Sequence, residues 1–158
     1  MGTRSRIGVM HGDKCKSIYC HWDGYLSHNG KILQEHYDSA KANHLVAMGD
    51  MSSLDNHIGE KHPFSGYSGE EDKALYEQAR EKHWSTFYAR DRGETGVEFK
   101  VAQDFAEFLE QCDSCGAEYY YIMKDGVWYC GTTYENTHPL SKTLTVLTEA
   151  LANEKETV

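Results

Sequence analysis

Apolar and polar residues alternate along Thr3–Val9 and again along Ile18–Tyr25, with Gly12-Asp13 between them as a two-residue loop with Gly first. That turn predicts an antiparallel hairpin in which facing residue numbers sum to twenty-five. Ile7 then faces Ile18, Ser5 faces Cys20 and Thr3 faces Trp22 on a core-like side. On the other side Arg4 faces His21 and Arg6 faces Tyr19, with Asp23 next in the row. A second hairpin is predicted over Ala117 to Tyr134, closed by Asp125-Gly126 as a type I′ turn.

Between the hairpins the period changes to that of helices. Ser27-His28-Asn29-Gly30 reads as a turn and helix start. Ile32 with His36, and Leu33 with Tyr37, then lie one turn apart. Asp38-Ser39 caps a helix that runs to Met48 and ends at Gly49. Residues 55–69 hold three Gly and one Pro and read as a long flexible loop, and Glu70 to His83 as a polar helix with little to bury. Trp84 to Ala89 is a β-rich run leading into a charged turn, Arg90-Asp91-Arg92-Gly93-Glu94. Phe105, Phe108 and Leu109 place an amphipathic helix over 103–111. Leu140, Leu144, Leu147 and Leu151 predict a C-terminal helix with a frayed end at 153–158. The order of elements is α+β: a single compact domain, with an antiparallel sheet built from the N- and C-terminal hairpins and packed with several helices.

Composition narrows what such a domain does. The 158 residues are enough for one domain with a real core, and 12% aromatic content with 11 Tyr argues against disorder. Net charge is −9, which excludes general nucleic-acid binding by a basic surface. Residues 1–59 balance six acidic against six basic groups, whereas residues 60–113 carry thirteen against seven. The acidity therefore belongs to the middle of the chain. There is no apolar run of membrane-spanning length and no secretory leader, and five Cys without a leader predict reduced thiols.

The polar side of the first hairpin is the candidate site. Arg4 and Arg6 offer guanidinium forks for phosphate or carboxylate, His21 can exchange a proton near neutral pH, Asp23 can orient it, and Tyr19 and Tyr25 shape the surface. The alternative is a solvated face with weak ion pairs. Arg90 and Arg92 form either a second clamp facing this hairpin or a solvated turn with an internal ion pair. Asp50-Met51-Ser52-Ser53 is expected to cap the next segment rather than hold an anion. Cys112, Cys115 and His138 have the look of metal ligands, but Cys130 faces Tyr121, roughly 20 Å further along its strand from Cys115. With no evident fourth ligand, no metal and no cofactor are expected. There is no phosphate-binding Gly loop, no nucleophile elbow and no metal-helix His spacing.

Thr3-Arg4-Ser5, Tyr19-Cys20-His21-Trp22-Asp23-Gly24-Tyr25, Gly49-Asp50-Met51-Ser52-Ser53-Leu54, Arg90-Asp91-Arg92-Gly93-Glu94 and Asp125-Gly126-Val127-Trp128-Tyr129 together resemble a family of small proteins of tailed bacteriophages and prophages. The acidic helix at 70–83 and the Cys112–Cys115 pair depart from its usual pattern. The resemblance implies the cytoplasm of an infected bacterium and an accessory role, and it carries no reaction. Three functions fit these features. The first is a non-enzymatic accessory protein that binds a host protein or a small phosphorylated molecule, to counter host defence or redirect host metabolism, either alone or as a homo-oligomer. The second is a small hydrolase or phosphodiesterase using His21 and Asp23. The third is an acidic inhibitor acting through residues 66–113.

Overall fold

The structure is a computed structural model that describes residues 2–64, 69–134 and 138–156. Six α-helices and eight strands are described, and the strands form one sheet. β1 (Ser5–His11) and β2 (Lys14–Cys20) pair with Ser5 opposite Cys20, Arg6 opposite Tyr19 and Ile7 opposite Ile18, the register that the Gly12-Asp13 turn imposes. The second hairpin, β6 (Tyr119–Lys124) and β7 (Val127–Thr132), places Tyr121 opposite Cys130. Positive φ at both Asp125 and Gly126 gives the predicted turn.

How the hairpins join is a tertiary matter. β1 and β6 lie side by side in parallel, so the sheet is mixed rather than antiparallel throughout. Its order is β4-β3-β2-β1-β6-β7-β8, with β4 at Thr86–Phe87 and β8 at Thr145–Val146. The outer edge of β2 is shared. β5 (Lys100–Ala102) runs antiparallel along Cys15–Ser17, and β3 (Met51–Ser53) takes over in parallel at Cys20. Neither partner reaches Tyr19, whose backbone N–H donates to the Asp50 carboxylate at 2.9 Å. Asp50 thus plugs a gap in the sheet, whereas the sequence pointed to a cap on the next segment.

Two cores follow from the pleat. Ile7, Val9, Ile18 and Cys20 face one side with Leu33, Leu45, Val46, Met51, Phe87 and Leu147. This side is covered by α1 (Lys31–His36), α2 (Ser39–Ala47) and α6 (Leu147–Glu156). Asp38 caps α2 by accepting from Lys41 N–H at 2.8 Å. The other side holds Cys15, Ala102, Phe108, Cys112, Tyr120 and Ile122 beneath α5 (Phe105–Cys115), so the polar face of the first hairpin is partly roofed.

Three expected elements differ. The C-terminal helix begins at Leu147. Leu140 and Leu144 precede it, because Thr143, Thr145 and Val146 favour an extended segment that pairs with β7. The run from Trp84 gives only the two residues of β4 before α4 (Tyr88–Arg92), which ends at left-handed Gly93. Residues 55–64 are fastened rather than loose. His62 is buried, its N–H reaches Asp91 at 3.1 Å, and its ring nitrogens meet Glu60 O and Thr86 Oγ1. Residues 65–68, the rest of the expected loop, lie outside the described residues, as do 157–158 of the expected frayed end. The polar helix forms as α3 (Glu70–Glu81) with only Ala79 buried.

Candidate functional site

Beyond Cys20 the chain leaves β1. His21 N–H donates to Met51 O and Trp22 N–H to Ser52 O, so the expected Thr3–Trp22 and Arg4–His21 ladder pairs do not form. Gly24 instead closes a corner, donating to Thr3 O at 2.7 Å. A Cβ at Gly24 would come within 2.7 Å of Ser5 Cβ, so glycine is required by space. Asn29, buried in the π-helical turn Leu26–Gly30, holds the corner from inside by donating to Ser5 Oγ and Trp22 O. Tyr121 Oη adds a bond to Gly24 O. This rigid corner presents His21, Trp22 and Asp23 at the end of the sheet.

Arg6 and Arg4 have different fates. Arg6 is 1% exposed, and its Nε and Nη2 donate to Ser17 Oγ at 2.8 Å and Ser17 O at 3.0 Å. Its Nη1 lies 3.7 Å from Cys115 Sγ under the end of α5. Arg6 is therefore a part of the interior, not an anion ligand, because α5 covers the stretch of β1 from which it projects. Arg4, two residues nearer the open end, has no hydrogen bond or ion pair from its guanidinium among the described residues. It lies against Gly116, where a Cβ would come within 2.8 Å of Nη1, at the C-terminus of α5, which favours a cation.

Beside Arg4, the Tyr19 hydroxyl sits 2.7 Å from His21 Nδ1. Burial pushes the Tyr19 phenol up to about 12 despite the opposing charge of Arg4, so it keeps its proton. When that proton is donated to Nδ1, neutral His21 carries its own on Nε2, a donor with no partner among the described residues. Desolvation, and then the charge of Arg4, lower the His21 pKa and keep the ring neutral at pH 7. Asp23 does not orient His21; Tyr19 does. Asp23 sits in the left-handed region at φ 56° and lines a separate cavity. Tyr25 is half-exposed and its ring pairs with that of His28, outside the cluster.

The second arginine pair splits in the same way. Arg90 donates to both Asp91 carboxylate oxygens and to the carbonyls of Ile58, Gly59 and Ser85, which locks residues 55–64 onto α4 and removes it from any ligand site. Arg92 stays half-exposed, paired with Glu94, with its guanidinium 4.5 Å above the Phe64 ring and 5.3 Å above Tyr88. Tyr88 stacks on Phe64 and lies near Ser52, whose carbonyl holds Trp22 N–H. The sequence reading missed Ser52, Phe64, Tyr88 and Arg80. Only Ser52 lay in a stretch marked for chemistry; the others come together through the β2–β3 parallel pairing.

Among the described residues, no three His, Cys, Asp or Glu side chains gather as metal ligands. Cys115 is drawn to Arg6, while His138 Nδ1 accepts from Leu140 N–H and its ring packs on Tyr134. No helix of the described residues is long and apolar enough to cross a membrane. No protein-family model, curated protein or solved structure matches this chain.

Proposed function

We propose that this is a phage accessory protein that binds a small phosphorylated molecule at the open end of its sheet, without transforming it. The observation that carries this reading is the Arg4 guanidinium. Its charge acts on both Tyr19 and His21, and no carboxylate or carbonyl of the described residues uses its donors. A phosphate there would meet a guanidinium fork and the His21 Nε2–H. The missing His21–Asp23 contact removes the orienting carboxylate that a hydrolase reading needs, which favours binding over turnover.

Calorimetry with pyrophosphate and ribose 5-phosphate tests the reading. Arg4→Ala is expected to weaken binding at least about tenfold, the scale of one charge-assisted hydrogen bond of about 1.5–3 kcal/mol. No product is expected when either compound, or a panel of nucleotides, is incubated with the protein. Product formed by the wild type and lost in His21→Asn would replace this reading with a phosphodiesterase. The phage context and the host cytoplasm follow from the sequence resemblance, and expression from an induced prophage would test both.

A further inference from the structure

Next to the Arg4–His21 end, Trp22, Asp23, Ser52, Phe64, Tyr76 and Arg80 line a cavity of about 220 Å³. Three features set it apart. Trp22 is 44% exposed, the most exposed of the large apolar side chains among the described residues, although its backbone N–H is held by Ser52 O. Asp23 is kept left-handed by the bonds of its neighbours, Gly24 N–H to Thr3 O and Asn29 N–H to Asp23 O, so its placement is imposed by the corner. Asp23 and Arg80 carry opposite charges into one cavity, yet neither side chain has a hydrogen bond or an ion pair among the described residues.

We infer that this cavity receives a nucleobase, specifically guanine, so that the phosphorylated ligand is a guanine nucleotide. The argument is one of shape and of donor pattern. The cavity is smaller than those that enclose whole drug-sized ligands, so it holds a fragment whose remainder lies outside, toward His21 and Arg4. Its aromatic walls suit a flat ring, and every base offers a π-face for stacking. The two charges choose among bases. A carboxylate accepts from guanine N1–H and N2–H₂, and a guanidinium donates to O6 and N7, the commonest arginine contact to guanine. Adenine would present its N1 lone pair to Asp23 and its N6 donor to Arg80, a mismatch on both sides.

The inference rests on the proposed phosphate site, and the experiment separates the two. Wild type, Arg4→Ala, Asp23→Asn and Trp22→Ala are titrated with GMP, AMP, guanosine and ribose 5-phosphate, with circular dichroism confirming folded variants. Asn tolerates the left-handed backbone, so Asp23→Asn changes the acceptor and not the corner. GMP is expected to bind on the order of 10- to 100-fold tighter than AMP, and Asp23→Asn to abolish that preference while leaving ribose 5-phosphate unchanged. Trp22→Ala should weaken GMP and AMP alike. Equal binding of GMP and AMP, or an unchanged preference in Asp23→Asn, overturns the guanine assignment even when ribose 5-phosphate still binds through Arg4. Guanosine binding as tightly as GMP, with no effect of Arg4→Ala, upholds the base cavity and overturns the phosphate site. Binding of none of the four overturns both.

Discussion

The N-terminal strand and the turn at α4 each carry two arginines separated by one residue, and in each pair the fold consumes one and leaves the other. Arg6 and Arg90 are internal fasteners; Arg4 and Arg92 stand at the open end of the sheet. The means differ. Arg90 is neutralised by the buried Asp91, which itself accepts from Phe87 and His62 backbone N–H groups. Among the described residues Arg6 has no carboxylate within ion-pair distance, although its charge favours the ionised form of Asp50. Its charge is met by the dipoles of Ser17 and by the sulfur of Cys115, at the C-terminal end of α5. An arginine in a sheet can thus be structural without an ion pair, and spacing alone does not say which member of a pair is taken into the interior.

The largest expected effect in breaking this comparison is at Arg90. Arg90→Ala leaves Asp91 charged in the interior and frees the carbonyls of residues 58, 59 and 85, so urea unfolding should show a loss of about 3–5 kcal/mol. A loss below about 1 kcal/mol would show that residues 55–64 are not held by this clamp. Arg6→Ala comes next, at about 2–3 kcal/mol, from the unsatisfied Ser17 groups and the void. Because no carboxylate in ion-pair contact is stranded, only the partly buried Asp50 losing a favourable neighbour, Arg6→Met should recover part of that loss. Recovery by Met at position 6 but not at position 90 is the sharpest sign that the two fasteners differ.

Arg4→Ala and Arg92→Ala should each change stability by less than about 1 kcal/mol, since one has no ion-pair or hydrogen-bond partner among the described residues and the other an exposed pair. A large loss for Arg4→Ala would make it a third fastener and remove the proposed phosphate site. His21 gives a smaller, pH-dependent effect. Its folded pKa is lowered from 6.5, so the unfolded chain takes up the proton first. The stability due to neutral His21 is present above pH 6.5 and is lost as pH falls from there toward the folded value. Between pH 7.5 and 5.5, wild type should therefore lose stability more steeply than His21→Asn, and parallel curves would contradict the desolvated, Arg4-flanked environment. The smallest effect is expected in α3. Lysine at Glu70, Glu71 and Asp72 together should leave ligand binding unchanged, and loss of function in a folded triple variant would make the acidic segment the working surface.

Gly12-Asp13 and Asp125-Gly126 each impose a turn, and the turn imposes a register, so both hairpins and the pairs Ile7–Ile18 and Tyr121–Cys130 are legible in the chain. Helices α2 and α5 are equally local, each with an aspartate that caps its own first turn. The row Tyr19, His21, Asp23 is legible too, but which neighbour meets His21 is not: the chain leaves the strand after Cys20, and Tyr19 takes the contact expected of Asp23. What no local pattern holds is the partner of each edge. The parallel docking of β1 on β6 carries the stretch of β1 around Arg6 beneath α5. The parallel docking of β3 on β2 gives the backbone N–H groups of His21 and Trp22 to Met51 and Ser52 in place of residues 3–4. Those two long-range pairings decided that Arg6 is buried and Arg4 is not, and that Asp23 lines a cavity with Arg80 instead of pairing with His21. They depend on apolar area gathered from distant segments, which strand alternation announces without saying where it will be buried.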